Sequence, residues 1–515
     1  MTNPLYDRLI GNRRDSDAVL LHLPEGGTIT YAEMAARADR ITGLLRKCGV
    51  AKGDRLAMQC PKSPEALALY LACLQSGVIF LPLNTAYTPD EIAYFVGNAT
   101  PKILVTDPKA EAALLPVTEK GGAILLTLDA AERGSFAVAV AAADPVTDVC
   151  ACDADDLACF LYTSGTTGRS KGAMLTQGNL LSNAEVLTET WRFTADDVLI
   201  HALPIFHAHG LFVACNVIML AGGSMIWLPG FSVEAVLAAM PRATTMMGVP
   251  TFYTRLLDSP EFDRARAGHM RLFTSGSAPL LAETHAAMYA RTGHAILERY
   301  GMTETGMNTS NPYDGERRGG TVGFPLKGTE LRIMDEDGRE LPAGQTGMIE
   351  VRGPNVFKGY WQMPDKTAEE LREDGFFITG DLGMIDKDGY VTIVGREKDL
   401  IITGGYNVYP KEVEQLLDQQ PAVKESAVIG APHSDFGEGV VALLVPESGE
   451  TPDIDAIASE VARKLANYKR PKAYIMLDEM PRNTMGKVQK NVLRADYVGL
   501  FEPTHEVKKV SEQTR

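Results

Sequence analysis

Cysteine, tryptophan and basic residues are all scarce in this 515-residue sequence. Only 50 Lys and Arg stand against 66 Asp and Glu, a formal charge of −16. That balance argues against nucleic-acid or anionic-membrane binding in general. It also means that an anion can be held only where basic side chains gather locally. The seven cysteines all precede residue 216, and their odd number without regular spacing reads as reduced thiols of a cytoplasmic protein. Cys150 and Cys152 stand two apart, but no second pair completes a zinc site. The nine histidines show no H-E-x-x-H spacing. A basic stretch followed by an apolar run is missing from the first residues, so no signal peptide is expected. One long run, residues 202–233, contains no Lys, Arg, Asp or Glu. His207, His209, Gly210, Asn216 and two prolines interrupt it, which suits a buried helix and strand better than a membrane span.

What is present fits a large globular protein. Hydrophobic residues make up 45% and charged residues 23%, and the length allows a large core and more than one domain. Thr30, Tyr31 and Glu33 have the form of a capped helix start, and Ala35, Ala38, Ile41 and Leu44 follow at helical spacing. Strand 55–59, helix 63–76, strand 77–83, a helix from Thr88 and strand 102–106 come next. After a weakly patterned stretch the order resumes with helix 175–190. Strands at 197–201, 225–228, 244–249, 272–274 and 295–300 follow, with helices between them. This alternation predicts an α/β fold with parallel-rich sheets. Two of the strands run into small-residue loops, 275–279 and 301–305, and ligands collect at the carboxyl ends of parallel strands. Beyond residue 320, Gly and Asp turns predict hairpins and a small antiparallel, barrel-like part. A compact α+β pattern then runs from 410 to 477. We place the boundary near Lys398, giving a large domain 1–397 and a small mobile domain 398–515.

One stretch, residues 160–172, stands out. Three apolar or aromatic residues end a strand, and then Ser and Thr hydroxyls alternate with Gly165, Gly168 and Gly172 around Lys171. Small residues let backbone N–H groups approach a ligand, and hydroxyls with a cation suit a polyphosphate. A Ser/Gly-rich surface turn is the other reading. The Walker pattern does not fit, because Ser170 precedes Lys171, and G-x-G-x-x-G is missing.

Later motifs give that stretch a context. Tyr162 to Lys171, then Leu-Pro-Ile-Phe-His ending at His207, Tyr-Gly-Met-Thr-Glu ending at Glu304 and Gly359-Tyr-Trp follow in order. Thr-Gly-Asp-Leu ending at Leu382, Gly-Arg-Glu-Lys ending at Lys398 and Pro-Arg-Asn-Thr-Met-Gly-Lys ending at Lys487 complete the series. Over nearly its whole length the chain resembles the acyl-adenylate-forming superfamily of acyl-CoA synthetases, coumarate ligases, beetle luciferases and adenylation domains. The resemblance implies an acid–thiol ligase. A carboxylate attacks the α-phosphate of ATP, pyrophosphate leaves, and a thiol takes the acyl group while AMP leaves. Neither step needs a protein nucleophile; both need positioning and charge neutralisation.

By that resemblance Thr163, Ser164, Gly165, Thr166, Thr167, Gly168 and Lys171 grip the phosphates. Ser277, Ala278 and Pro279 with Glu298, Tyr300, Gly301 and Met302 form the adenine side. Thr303 touches the α-phosphate, and Glu304 with Thr163 holds Mg²⁺. Asp381 and Arg396 take the ribose, and Lys487 bridges the α-phosphate and the acid. Lys398 is the hinge. Gly404, Gly405 and Tyr406 are the CoA side, and Lys469 and Arg470 are either CoA contacts or a solvated helix end. No fused carrier domain is expected, so free CoA is the expected acceptor. Taken singly, Asp381 and Arg396 would be ordinary turn and surface charges, and Lys487 one exposed lysine among many.

The acid is read at residue 299. Alternation sends Arg299 to the opposite face from Tyr300. A fatty acid would not tolerate a buried guanidinium, whereas a second substrate carboxylate would pair with it. A salt bridge to Glu298 is the other reading. Residues 297–305 with 249–255 resemble the malonyl-CoA synthetases in particular. His207, a candidate catalytic residue too, His209 and Arg255 are candidates for the same pocket. The expected partners are ATP, CoA and a short dicarboxylic acid, in a cytoplasmic monomer or homodimer with no nucleic acid and no membrane. The rivals are a ligase for a monocarboxylic acid, an enzyme loading a carrier protein, and a silent binding protein.

Overall fold

The computed structural model describes residues 3–163, 170–403, 406–433, 435–465, 467–483 and 486–502. They form two compact units, residues 1–331 with 351–377, and residues 332–350 with 378–515.

Two sheets organise the first unit. The six-stranded sheet runs in the order Ile124–Thr127, Ile103–Thr106, Arg55–Gln59, Ile79–Pro82, Leu157–Thr163, Lys171–Thr176. All its pairings are parallel except the last, which is antiparallel. The nine-stranded sheet has a parallel centre, with Leu297–Met302, Leu272–Ser275, Thr245–Gly248, Val198–His201, Ser224–Trp227 and Val19–His22 side by side. Antiparallel strands close both its edges.

The helices start where the sequence supplies caps. Thr30 and Glu33 make a reciprocal capping box at Tyr31–Lys47, and Thr88 with Glu91 does the same at Pro89–Ala99. Helix Pro64–Ser76 is buried from Glu65 to Gln75 and is accordingly apolar nearly all round. It stops at Gly77, whose φ of 67° is left-handed. Aromatic side chains fill the space beside the sheets. Tyr253, Phe262 and Phe273 pack in one cluster, and Phe95, Phe160 and Trp361 in another.

One local outcome differs from the sequence reading. Residues 171–176 form a strand antiparallel to 157–163, in which Thr163 faces Lys171 and Tyr162 faces Gly172. The helix begins only at Gln177, capped by Thr176 and Asn179. Residues 202–233 hold the expected buried helix and strand, the helix opening with a π-helical stretch, His209–Cys215, that runs into Asn216–Ala221 ahead of strand Ser224–Trp227. Among the described residues no helix is long and apolar enough to cross a membrane.

In the second unit, residues 332–350 and 378–396 make most of a four-stranded sheet. A five-stranded sheet is built on the long antiparallel pair Val423–His433 and Gly437–Pro446. Helices Pro410–Leu417 and Ile454–Lys464 pack on it through Val413, Leu417, Ile457 and Val461.

Candidate active site

The paired ends of strands Leu157–Thr163 and Lys171–Thr176 place the first group of polar residues. Thr163 and Lys171 are cross-strand neighbours. Residues 358–361 run antiparallel beside the second strand, with Ala173 bridged to Tyr360 and the Trp361 amide bonded to Gly172 O at 2.8 Å. The Gly-Tyr-Trp motif thereby acquires a physical role. It brings the Tyr360 ring under Lys171, whose Nζ lies 4.1 Å from the ring centroid.

Contacts to two carboxylates, Glu304 and Glu370, complete this group. Thr163 Oγ1 donates to Glu304 Oε1 at 3.1 Å, and Tyr360 OH reaches the same oxygen at 3.2 Å. Tyr360 OH also lies 2.6 Å from Glu370 Oε2, and Lys171 Nζ donates to Glu370 Oε1 at 3.0 Å. Lys366 sits on that oxygen as well. Burial pushes the Glu370 carboxyl up, but hydrogen bonds from Tyr360, Lys366 and Lys171 outweigh it and hold the pKa below the usual value. Tyr360 and Glu370 thus join Lys171 to Glu304. Sequence reasoning missed both roles. Tyr360 lay inside a recognised motif, so a signal was there; Glu370 ends a short helix, Pro364–Glu370, and carried none. Ser164, Gly165, Thr166, Thr167 and Gly168 lie outside the described residues.

Thr303 and Glu304 occupy the turn between strands Leu297–Met302 and Gly306–Ser310. Gly301 and Gly306 let these strands close tightly, since a Cβ on Gly301 would stand 2.0 Å from Gly306 O. Thr303 is half-buried and Glu304 is 5% exposed. Met302 and Tyr300 are half-buried on the same strand. Glu298 is buried, and its carboxylate accepts from the backbone of Leu280 and Gly320, tying loop 276–281 in place. In that loop Ser277 has a left-handed φ of 71°, Ala278 is half-buried and Pro279 is exposed.

Arg299 faces the other way, as alternation requires, and is 3% exposed. Its Nε and Nη2 have no hydrogen-bond partner. Burial brings its pKa down to about 10, and the nearby Tyr253 hydroxyl is engaged with Thr274 O. Gly276 lies against the guanidinium, where a Cβ would meet Nη1 at 2.3 Å. His209 is buried within electrostatic range; burial first, and Arg299 second, hold its pKa well below the usual value. Its Nδ1 is 3.2 Å from Ser277 Oγ, and its Nε2 has no partner. His207 Nε2 is also buried without a partner, and burial pushes that ring down to about 4. Both imidazoles are therefore neutral at pH 7. Arg255 is elsewhere: it is exposed on helix Pro250–Leu257, about 200° round from the buried Tyr253.

In the second unit, Asp381 and Arg396 are paired across adjacent strands, with Arg396 Nε 2.7 Å from Asp381 Oδ1. Asp381 is 3% exposed, and its backbone N–H donates to Thr379 Oγ1 at 3.0 Å. Lys487 lies within electrostatic range of both. Desolvation first, then the Arg396 guanidinium, lowers its pKa to about 8. The residue keeps an exposed surface, and solvent moderates that shift. Lys398 is exposed on the single 3-10 turn Glu397–Asp399, which Arg494 ties down through Asp399 at 2.5 Å. Tyr406 is 59% exposed and stacks on Tyr468 with centroids 4.7 Å apart. Lys469 is paired with Glu412 at 2.6 Å, and Arg470 Nε donates to Leu465 O. Gly404 and Gly405 lie outside the described residues.

Comparison with known proteins identifies the family. The profile of the AMP-binding enzyme family matches residues 10–361, and that of the AMP-binding enzyme C-terminal domain matches residues 412–487. ATP-bound MatB from Rhodopseudomonas palustris is 56% identical and superposes with a TM-score of 0.95, covering 98% of this chain and 100% of that one. Feruloyl-CoA synthase from Amycolatopsis sp is 38% identical over 91% of this chain and 94% of its own length. Malonate–CoA ligase from Arabidopsis thaliana is 32% identical over 91% of this chain and 85% of its own.

Proposed function

The chain belongs to the AMP-binding enzyme family and is an acid–CoA ligase of the AMP-forming kind, and from there we propose that its acid is malonate. One observation carries this reading: Arg299 is a buried cation with two unpartnered donor nitrogens. No carboxylate among the described residues lies within ion-pair distance of it. An unpaired buried charge is costly. A dicarboxylate removes that cost, because one carboxylate pairs with Arg299 while the other reacts. Neutral His207 and His209 present ring nitrogens to the same acid without adding charge. A feruloyl-type acid has no second anion to offer and would leave the guanidinium uncompensated.

The remaining assignments follow the chemistry. One malonate carboxylate attacks the α-phosphate, pyrophosphate leaves, and malonyl-adenylate forms. The CoA thiol then attacks the acyl carbon, giving malonyl-CoA and AMP. Lys171 and the glycine loop hold the β- and γ-phosphates, and Thr303 holds the α-phosphate. Glu304 and Thr163 offer the hard oxygen donors that Mg²⁺ takes, and the ion would offset phosphate charge when bound. The Asp381 carboxylate, oriented by Arg396, accepts the two ribose hydroxyls. Lys487 bridges the α-phosphate and the reacting carboxylate, Lys398 is the hinge, and Tyr406 lies on the CoA side. An assay of AMP and thioester formation across malonate, methylmalonate, succinate, acetate and coumarate tests the reading. Malonate should lead, and a wide lead for coumarate or acetate would overturn it.

Two further outcomes are expected. ATP must draw Lys171 away from Glu370. Glu370→Gln weakens that competing ion pair, worth about 1 kcal/mol at a partly exposed site, so the KM for ATP should fall about fivefold. An unchanged or higher value, measured at saturating malonate, would show that Glu370 aids nucleotide binding instead. Lys487 must carry its proton, and its lowered pKa sets the alkaline limit. Malonate-dependent ATP–pyrophosphate exchange should decline as pH rises through about 8. Lys487→Arg should be flat across that range at whatever rate it retains; a shared decline would assign the limb to another group.

A further inference from the structure

Another cation of the first unit, half-buried, is untouched by this chemistry. Lys62 precedes helix Pro64–Ser76 and has no carboxylate within ion-pair distance among the described residues. Its Nζ instead donates three hydrogen bonds, to His201 Nδ1 at 2.7 Å, His201 O at 2.8 Å and Leu228 O at 2.7 Å. The Trp227 ring covers it at 4.2 Å. Three donors meet three acceptors, so the ammonium is satisfied without a counter-charge.

That arrangement fixes the His201 ring. Because Nδ1 accepts from Lys62, the ring proton is on Nε2, which donates to Gly210 O at 2.8 Å. Cys215 Sγ lies 3.2 Å from the same nitrogen. Gly210 and Cys215 belong to the π-helical stretch His209–Cys215. Irregular helical turns of this kind are intrinsically uncommon and need outside support. The stretch is also pressed against residue 204, since a Cβ on Gly210 would stand 2.0 Å from Pro204 O. The residue beside Gly210 is His209, whose Nε2 has no partner and whose ring lies within electrostatic range of Arg299.

We propose that Lys62 and His201 are positioning residues for the acid pocket: through Gly210 they hold the π-helical stretch in the register that aims His209 at the acid beside Arg299. This rests on the malonate reading. A hydrophobic residue in place of Lys62 would avoid desolvating a charge, so plain core stability is a poor account of it.

The test separates positioning from packing. His201→Leu keeps bulk and loses both ring hydrogen bonds, whereas the His201→Gln amide can accept from Lys62 and donate to Gly210 O. Lys62→Met keeps length and loses three donors. His201→Leu and Lys62→Met should raise the malonate KM about tenfold, with the ATP KM changed less than twofold. His201→Gln should restore most of the loss. Malonate and ATP KM values that move together, a malonate KM that does not move, or a Gln variant no better than Leu would overturn the proposal. If Lys62→Met does not fold, the His201 pair decides alone. A wild-type enzyme that ignores malonate would instead overturn the malonate reading. One that uses malonate, with variants that leave its KM unmoved, would overturn this inference only.

Discussion

Arg299→Ala should lower kcat/KM for malonate by about a thousandfold and leave the KM for ATP within about twofold. Truncating one partner of a buried charge pair costs about 2–5 kcal/mol, and each 1.4 kcal/mol is about tenfold. The loss should be large because Arg299 is 3% exposed and solvent cannot take its place. ATP should be spared, because strand alternation turns Arg299 away from Tyr300 and Glu298. Stability supplies a second signature. Without substrate, Arg299 is a desolvated charge, so Arg299→Met should cost little in Tm or raise it. Malonate should raise the Tm of the wild type and not that of the variant. A substrate-free Tm that collapses on substitution, with malonate kinetics unchanged, would make Arg299 a structural residue.

Lys487→Ala should reduce adenylation by at least about a hundredfold while sparing thioester formation from supplied malonyl-adenylate. Attack on the α-phosphate brings a carboxylate and a phosphate together, and charge at the reacting centre peaks between the end states. A positioned cation acts there and is worth about 2.7–4 kcal/mol when removed. Thiol attack on an existing adenylate has no such need. Equal losses in both half-reactions, followed in single turnovers, would remove Lys487 from this role.

Some features of the fold and of residue placement were legible in the sequence, for identifiable reasons. Strand periodicity predicted the side of the strand on which Arg299 stands, and the structure then buried it. The capping pairs Thr30–Glu33 and Thr88–Glu91 set helix starts that formed as expected. What failed to show needed tertiary pairing. Lys171–Thr176 is a strand because Leu157–Thr163 and residues 358–361 flank it, and its own six residues carry no alternation to reveal that. Glu370 meets Lys171 from 199 residues away, and no local pattern records such a distance. Arg255 is a converse case. Charge and nearness in sequence suggested the pocket, but helix Pro250–Leu257 turns its buried face through Tyr253 and leaves Arg255 in solvent. Lys62 is the plainest gap, since one lysine ahead of a capped helix gives no sign that it will bond to His201.

The central claim is that a second anionic group on the acid is recognised at Arg299. Malonate and its monomethyl ester differ little in size and share the reacting carboxylate, but the ester lacks the second charge. ATP–pyrophosphate exchange driven by each acid isolates adenylation from the CoA step. A site built around a charged partner rejects an analogue lacking it by roughly 10⁴-fold, so malonate should win by about two orders of magnitude at least. Equal kcat/KM for the two acids would contradict the account.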